Sequence, residues 1–319
     1  MLVDLSFLRA MRPVRDPNVH KGRLGHALLF CGSVGYAGAA RLAAGACARS
    51  GAGLITLCVP QSIYTVIAPA LPPEIMCRPL PNDEAGRFSP LAVEAAEELL
   101  TRCDAVLVGP GLGRSEGVDA FVRALVQRCT QPVVVDADGI TALAAHILVQ
   151  PTCPLIFTPH DGEFARLGGD TENPDRAAAT CALAQQRNAV VVRKGPGTVT
   201  AWPSQLAPRC TPEERFHQNT SGGPALAKGG SGDVLAGLLI GLLAQFTSSP
   251  AFWCEVNLPD IIAAGVFLHG LAGDLGAQRM GERGFTPSDL IDHLPEALRL
   301  CFEDAPEPQT LTPTLDSFI

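Results

Sequence analysis

A polar, glycine-rich run passes directly into a long apolar stretch at residues 219–245, NTSGGPALAKGGSGDVLAGLLIGLLAQ, and a single acid, Asp233, stands at the join. Gly222, Gly223, Gly229, Gly230 and Gly232 let the backbone approach a ligand closely, and Ser231 is suited to cap a helix. Val234, Leu235, Leu238, Leu239, Leu242 and Leu243 make that helix apolar nearly all round. Free N–H groups at such a helix start, with the positive end of its dipole, form an anion site, and phosphate is the anion that it suits. A carboxylate aimed at bound phosphate is repelled, so Asp233 is better assigned to a substrate hydroxyl, taking its proton as the oxygen attacks phosphorus. The same residues also describe a plain glycine turn capped by Ser231, with Asp233 only complementing the dipole. Five glycines ahead of a buried helix favour the chemical reading.

Other candidates stand just after apolar runs that read as strands, where open parallel sheets hold ligands. After 27–31 comes Gly32-Ser33-Val34-Gly35-Tyr36-Ala37-Gly38-Ala39, whose spacing is not the G-x-G-x-x-G of a redox Rossmann enzyme. No G-x-x-x-x-G-K-[ST] phosphate loop occurs anywhere. Gly109-Pro110-Gly111-Leu112-Gly113 either lines a ligand or simply turns the chain. Asp136 and Asp138 lie together after 132–135 and offer hard oxygen ligands to Mg²⁺ through water, although Asp138 is equally placed to cap the next helix. His160 is a candidate ligand contact, or a structural histidine with Asp161 as N-cap. Lys194-Gly195-Pro196-Gly197-Thr198 supplies a cation and backbone amides of the kind that a nucleotide phosphate needs.

The elements that must position these residues alternate. Strands are expected at 27–31, 54–59, 75–77, 105–108, 132–135, 155–157 and 189–192. Helices are expected at 39–50, from Ser89-Pro90 to 100, at 117–128, near 163–167 and at 176–186. This is the pattern of βαβ crossovers and a mostly parallel sheet with helices on both faces, an α/β fold. Beyond Lys194, 198–202 reads as an antiparallel edge strand and 203–217 as a loop-rich excursion. Three helices close the chain at 234–245, 259–280 and 287–301. Residues 1–19 form an amphipathic lead-in closed by Pro13 and Pro17, and 306–319 a frayed tail. The 319 residues read as one large domain, 1–319.

A net charge of −8 argues against a nucleic-acid or anionic-membrane partner, so phosphate must be held by local amides and a few placed cations. The eleven cysteines include no C-x-x-C pair, and Cys31, Cys47, Cys58, Cys103 and Cys181 fall within apolar runs. They read as small buried hydrophobes in a reducing cytoplasm. No signal peptide is legible in the first eleven residues, and no apolar run is read as long enough to span a membrane.

Taken in order, KGRLG, GSVGYAGAARLAAGACARSGAGLIT, GPGLG, VVVDADG, TPHDGEFARL, VVRKGPGT, KGGSGDVLAGLL and HGLAGDLGA make the chain resemble, from about Lys21 to Leu300, the ADP/ATP-dependent NAD(P)H-hydrate dehydratases. These are nicotinamide-nucleotide repair enzymes, lyases on a ribokinase-like fold. The resemblance implies that Ala39, a GPGLG glycine (Gly111 or Gly113) and His160 contact the hydrated dinucleotide. It implies that Lys194, Gly195, Pro196, Gly197 and Thr198, with Gly229, Gly230, Ser231 and Gly232, hold the adenine nucleotide, and that Asp233 is the base. ADP with Mg²⁺ would be consumed to return the hydrates NADHX and NADPHX to NADH and NADPH. A homo-oligomer, a tetramer by the resemblance, is expected, as is a separate epimerase, since the epimerase domain of many relatives has no counterpart in these residues. Three positions depart from the family: Asp161 stands where proline is usual in TPHPGE, Gly223-Pro224-Ala225 replaces N-P-G, and Lys228 replaces a frequent threonine and offers a further phosphate contact. Two rivals remain at this point: a vitamin-type hydroxymethyl kinase of the same fold, and a non-catalytic nucleotide-binding sensor.

Overall fold

The computed structural model describes residues 1–13, 18–145, 152–206, 211, 214–252 and 256–303; Pro17 and the tail expected at 306–319 lie outside them. Among the described residues ten strands form one sheet: β1 (Leu2–Val3), β2 (His26–Phe30), β3 (Leu54–Pro60), β4 (Met76–Leu80), β5 (Ala105–Val108), β6 (Val133–Val135), β7 (Leu155–Phe157), β8 (Val190–Arg193), β9 (Val199–Ala201) and β10 (Phe216–Asn219). Their order is β1-β10-β9-β8-β7-β6-β5-β2-β3-β4. Only β9 runs against its neighbours. Central strands such as AVLV and VVV are buried at every residue, which is why they read as continuous apolar runs rather than alternating ones.

Helices cover both faces. One core joins the sheet to Ala37–Arg49, Ser231–Ser248, Leu258–Met280 and Pro287–Phe302. The other joins it to Glu116–Arg128, Ala137–Ala144 and Arg176–Arg187. The chain steps outward from β2 to β3 and β4, then returns to lay β5 on the other side of β2. That reversal opens a crevice at the carboxyl ends of β2 and β5, the place where such sheets bind ligands.

Four expectations need correction. Residues 198–202 do pair antiparallel, but β9 is not at the edge, because β10 and β1 lie outside it. β10 was hidden in the expected excursion 203–217, its FHQN lacking apolar alternation, and β1 in the lead-in. The helix expected from Ser89-Pro90 is two pieces, Leu91–Ala95 and Glu97–Leu100. Among the described residues two helices, Ser231–Ser248 and Leu258–Met280, are long and apolar enough to cross a membrane, against expectation. Of each such stretch 72% is buried within the fold, so the core itself explains their composition. Cys31, Cys47, Cys58 and Cys103 are buried as expected, whereas Cys181 is half-buried.

The Ser231–Ser248 helix lies directly on the backbone of Ala37–Arg49. A Cβ on Gly237 would sit 2.0 Å from the Ala43 carbonyl oxygen, and one on Gly241 1.9 Å from Ser50 Oγ. Gln245 Nε2 donates to the Ser50 carbonyl at 3.0 Å, fixing the register at the far end. Gly237→Ala should therefore overpack a contact that has no flexible partner and lower stability by about 1–3 kcal/mol or more. The check is the urea midpoint at constant m; an unshifted midpoint would show that the two helices are not held this closely.

Candidate active site

Three neighbouring strand ends meet in one buried charge cluster. Asp136, directly after β6, is almost fully buried, and its Oδ1 accepts from Thr158 Oγ1 at 2.7 Å and from Lys194 Nζ at 2.9 Å. Thr158 follows β7 and Lys194 follows β8, so one carboxylate oxygen joins three strands. Glu163 Oε2 stands 3.8 Å from the same ammonium. Burial alone would push the Lys194 pKa down, but Asp136 and Glu163 outweigh it and hold it above the usual value, so the ammonium stays charged.

The Ser231–Ser248 helix aims its first turn at this cluster. Its N-cap is Gly230, not the expected Ser231: the chain enters at φ 101, a conformation natural to glycine, and no side chain caps the turn. Ser231 N–H is bonded to the Lys228 carbonyl and Val234 N–H to the Gly230 carbonyl, which leaves the amides of Gly232 and Asp233 open. Open amides at a dipole's positive end are what an anion needs. A Cβ on Gly232 would come within 3.3 Å of Lys194 Nζ and 3.9 Å of Asp136 Oδ2, so the bare backbone keeps this space clear. Burial, then the neighbouring Asp136, raise the pKa of Asp233 to about 7; Lys194 works against them and Asp138 adds to them. A carboxylate poised there accepts protons efficiently at neutral pH.

Residues used in the sequence reading only for resemblance brace this turn. Buried His269 places Nε2 2.9 Å from the Ser231 carbonyl. Burial lowers its pKa to about 4, so the neutral ring donates that hydrogen bond. Asp274 Oδ2 accepts from the Gly222 amide at 2.8 Å. Both belong to HGLAGDLGA, and their signal was two polar residues inside an otherwise apolar helix. Lys228 does not point to a phosphate site: its ammonium donates to the carbonyls of Glu282, Arg283 and Phe285 and ties the loop to the start of Pro287–Phe302.

The 194–198 turn is held from beneath. Arg176 Nη2 donates to the carbonyls of Lys194 at 2.6 Å and Arg193 at 3.2 Å, while Thr198 Oγ1 closes the turn on the Gly195 carbonyl at 2.8 Å. Asp161 is not an N-cap. It accepts from Arg193 Nε at 2.7 Å and from Arg176 Nη1 at 3.0 Å. The cap of Asp161–Arg166 is His160 itself, whose Nδ1 accepts from Gly162 and Glu163 amides while Glu163 returns a bond to the His160 amide. More than half of the His160 side chain is exposed, so it retains a face for a ligand.

Across the crevice, the Gly32–Ala39 and Gly109–Gly113 stretches interlock. Gly32 N–H donates to the Pro110 carbonyl and Ser33 Oγ to the Gly111 carbonyl, both at 2.8 Å. A Cβ on Gly111 would lie 2.9 Å from the Ala39 Cβ, so these two candidate substrate residues share one wall. Asp138 does not cap its helix; Oδ2 accepts from the Gly113 amide at 2.9 Å and Oδ1 lies 3.3 Å from Arg114 Nε. Among the described residues no cluster of three metal-ligating side chains exists. The donor set fits an ion carried on phosphates: Mg²⁺ keeps several waters and takes one or two carboxylates, and Asp136 Oδ2, facing Gly232, is the oxygen not engaged by Lys194 or Thr158.

The family model described as NAD(P)H-hydrate dehydratase matches residues 27–296. The bifunctional NAD(P)H-hydrate repair enzyme Nnr of Moorella thermoacetica is 38% identical over 93% of this chain and 54% of its own length. The enzyme of the same name from Salinibacter ruber is 39% identical over 90% and 51%. The chain thus spans about half the length of the curated relatives that it matches. Among solved structures, the ADP/ATP-dependent NAD(P)H-hydrate dehydratase of Bacillus subtilis, co-crystallised with ATP/Mg²⁺, superposes with a TM-score of 0.76, 31% identity, and coverage of 93% of this chain and 97% of that one.

The raised pKa of Asp233 carries a stability cost with a definite sign. Unfolded, the carboxyl ionises near 3.8; folded, it keeps its proton up to about 7. Between those values the native state binds more protons, so stability falls as pH rises, and the full cost is present above about pH 7. Asp233→Asn should therefore be more stable than wild type at pH 8, on the order of a few kcal/mol, with the difference fading toward about pH 4. Urea titrations at both pH values check this. A variant less stable than wild type at pH 8 would show that the carboxylate is not strained by its surroundings.

Proposed function

The chain belongs to the NAD(P)H-hydrate dehydratase family, and from that premise we propose that it returns the 6-hydroxy hydrates NADHX and NADPHX to NADH and NADPH at the expense of ADP. One observation carries the reading: a carboxylate poised near pH 7, Asp233, stands beside open helix-start amides and the Lys194 ammonium. Base and phosphate cradle share one turn.

In the proposed reaction Asp233 takes the proton of the ring hydroxyl, and the oxygen bonds to the terminal phosphorus of ADP as the bond to the bridging oxygen breaks and AMP leaves. The open amides of Gly232 and Asp233, with the backbone of Gly229 and Gly230 beside them, receive the negative charge on the phosphoryl oxygens. Phosphate then departs from the ring carbon, pushed by the lone pair on the ring nitrogen, and a proton lost from the adjacent carbon restores the dihydronicotinamide. Mg²⁺ bound with the nucleotide would offset phosphate charge next to Asp136. Lys194 keeps Asp136 in place, and the turn 194–198, with Pro196 and Gly197 at its tip, lies under the nucleotide. Ala39, Gly111, Gly113 and His160 border the dinucleotide. A cytoplasmic setting and a homo-oligomer are part of the same proposal.

The vitamin-type kinase is separated from this reading by its product, since a kinase leaves phosphate bonded to the substrate. Wild-type protein given either hydrate and ADP should regenerate the dihydronicotinamide absorbance in step with AMP and free phosphate. Asp233→Asn should retain nucleotide binding and lose roughly a hundredfold or more in turnover. The wild-type kcat/KM should rise with pH and level off above about 7, where the base is free. A stable phosphorylated product, or an Asn variant at the wild-type rate, would overturn the assignment.

A further inference from the structure

A half-open cavity of about 520 Å³ lies outside the charge cluster, on the β2–β5 side of the crevice. Asp138 lines it, and Asp138 is near enough to Asp233 to shift it electrostatically, so the cavity adjoins the Asp233 site through this residue. Its volume is in the range of pockets that hold small organic ligands. Two side chains on its wall, Val34 and Tyr36, are 56% and 58% exposed, which is unusual for large apolar residues and leaves an aromatic face uncovered. Two guanidinium groups, Arg87 and Arg114, complete the lining.

Both arginines are held in place through part of their donor set only. Arg87 gives Nε to Asp83 Oδ2 at 3.0 Å and Nη1 to the Arg114 carbonyl at 2.7 Å, and its own amide is fixed on Asp83 Oδ1 at 2.9 Å. No protein group takes Nη2 among the described residues. Among the described residues Arg114 gives only Nε, to Asp138 Oδ1 at 3.3 Å, and no acceptor takes its two terminal nitrogens; its side chain is 63% exposed. The Arg87 stem packs on the backbone of Gly113, where a Cβ would come within 3.0 Å of Cδ, so the head group is aligned with the glycine turn rather than with bulk solvent. Asp83 and Asp138 balance the two charges, so the pocket does not attract anions at long range. What it offers is directional: fixed planar forks with terminal N–H groups unspent, the geometry that matches phosphate oxygens.

We propose that this cavity is the subsite for the far half of the dinucleotide substrate, with Arg87 and Arg114 binding one of its phosphate groups and Tyr36 stacking on a base or sugar. The inference rests on the dehydratase reading only for the identity of the ligand. A reacting ring at Asp233 leaves the remainder of the molecule to extend past Asp138 into this space. The phosphate is either the pyrophosphate, common to both hydrates, or the 2′-phosphate present in NADPHX alone.

The test is calorimetric titration of the full chain with NADPH and with NADH, alongside kinetics on both hydrates, for wild type, Arg114→Gln, Arg87→Gln and Arg114→Lys. Each Gln variant should bind about tenfold to a hundredfold more weakly, the scale of a lost charge-assisted hydrogen bond, with KM raised and kcat at saturation kept. Equal weakening for both dinucleotides assigns the pyrophosphate; weakening confined to NADPH assigns the 2′-phosphate. The Lys variant should recover only part of the affinity, because it keeps the charge and loses the fork. Arg114 is 63% exposed at its side chain, so its Gln variant folds independently of the answer. Unchanged affinity and KM in Arg114→Gln, a fall in kcat alone, or wild type that binds neither dinucleotide would overturn the subsite. Wild type that binds both dinucleotides but turns over neither hydrate would overturn the dehydratase reading and leave the subsite standing.

Discussion

The contact between the Ser231–Ser248 helix and the backbone of Ala37–Arg49 sets the geometry of everything above it. With Gly237 against the Ala43 backbone and Gly241 against the small side chain of Ser50, the two helices meet with nothing larger than a serine between them at these points. Larger side chains at the contact would separate the axes. One of these helices begins at the glycine turn that carries Asp233, and the other follows the 32–36 turn. Their separation therefore also sets the distance between Asp233 and the 32–36 turn. The apolar composition of the helix pair, which by length alone would suit a membrane, is required by a position with sheet on one side and helices on the others.

Charge within the site is arranged by the same logic of close approach. Asp136, Glu163 and Asp233 surround Lys194, and Asp138 adds its field to Asp233, so carboxylates outnumber the one ammonium. Asp136 and Asp138 are each committed to protein donors: Asp136 to Lys194 and Thr158, Asp138 to Gly113 and Arg114. Asp233 is the one whose charged form is left under-compensated, because it is buried beside Asp136, and the same cost to its charged form is what the proposed role as base would use.

The parallel sheet was legible because strands buried on both faces write themselves as short runs such as VVV, and the Asp233 turn because glycines and an acid stand directly ahead of an apolar helix. What escaped was decided by partners distant in sequence. β1 and β10 are strands only because they find each other: Leu2 pairs with Gln218 and Val3 with Asn219. Ser231 has the right chemistry for a cap, yet the chain enters the helix through Gly230 at φ 101, with the Ser231 amide bonded to the Lys228 carbonyl and the Lys228 ammonium held on the carbonyls of Glu282 and Arg283. Arg87 and Arg114 carried no signal in isolation, since what matters is the cavity that the β2–β5 reversal opens between them.

Asp161 illustrates how a departure from a family pattern acquires a structural role. Proline at this position would supply a fixed φ at the first residue of a helix and no side-chain acceptor. The aspartate accepts from both Arg193 and Arg176, and Arg176 in turn holds the carbonyls of Arg193 and Lys194. Without an anion here two guanidinium groups would face each other across the base of the nucleotide turn, with Arg193 buried and lying 4.2 Å over the Phe164 ring. Asp161 itself is more than half exposed, but Arg193 is buried, so losing the carboxylate would leave a buried guanidinium without its anion. Asp161 and the two arginines therefore function as a unit, and their joint effect is to fix the backbone of Lys194, whose ammonium holds Asp136 beside the base.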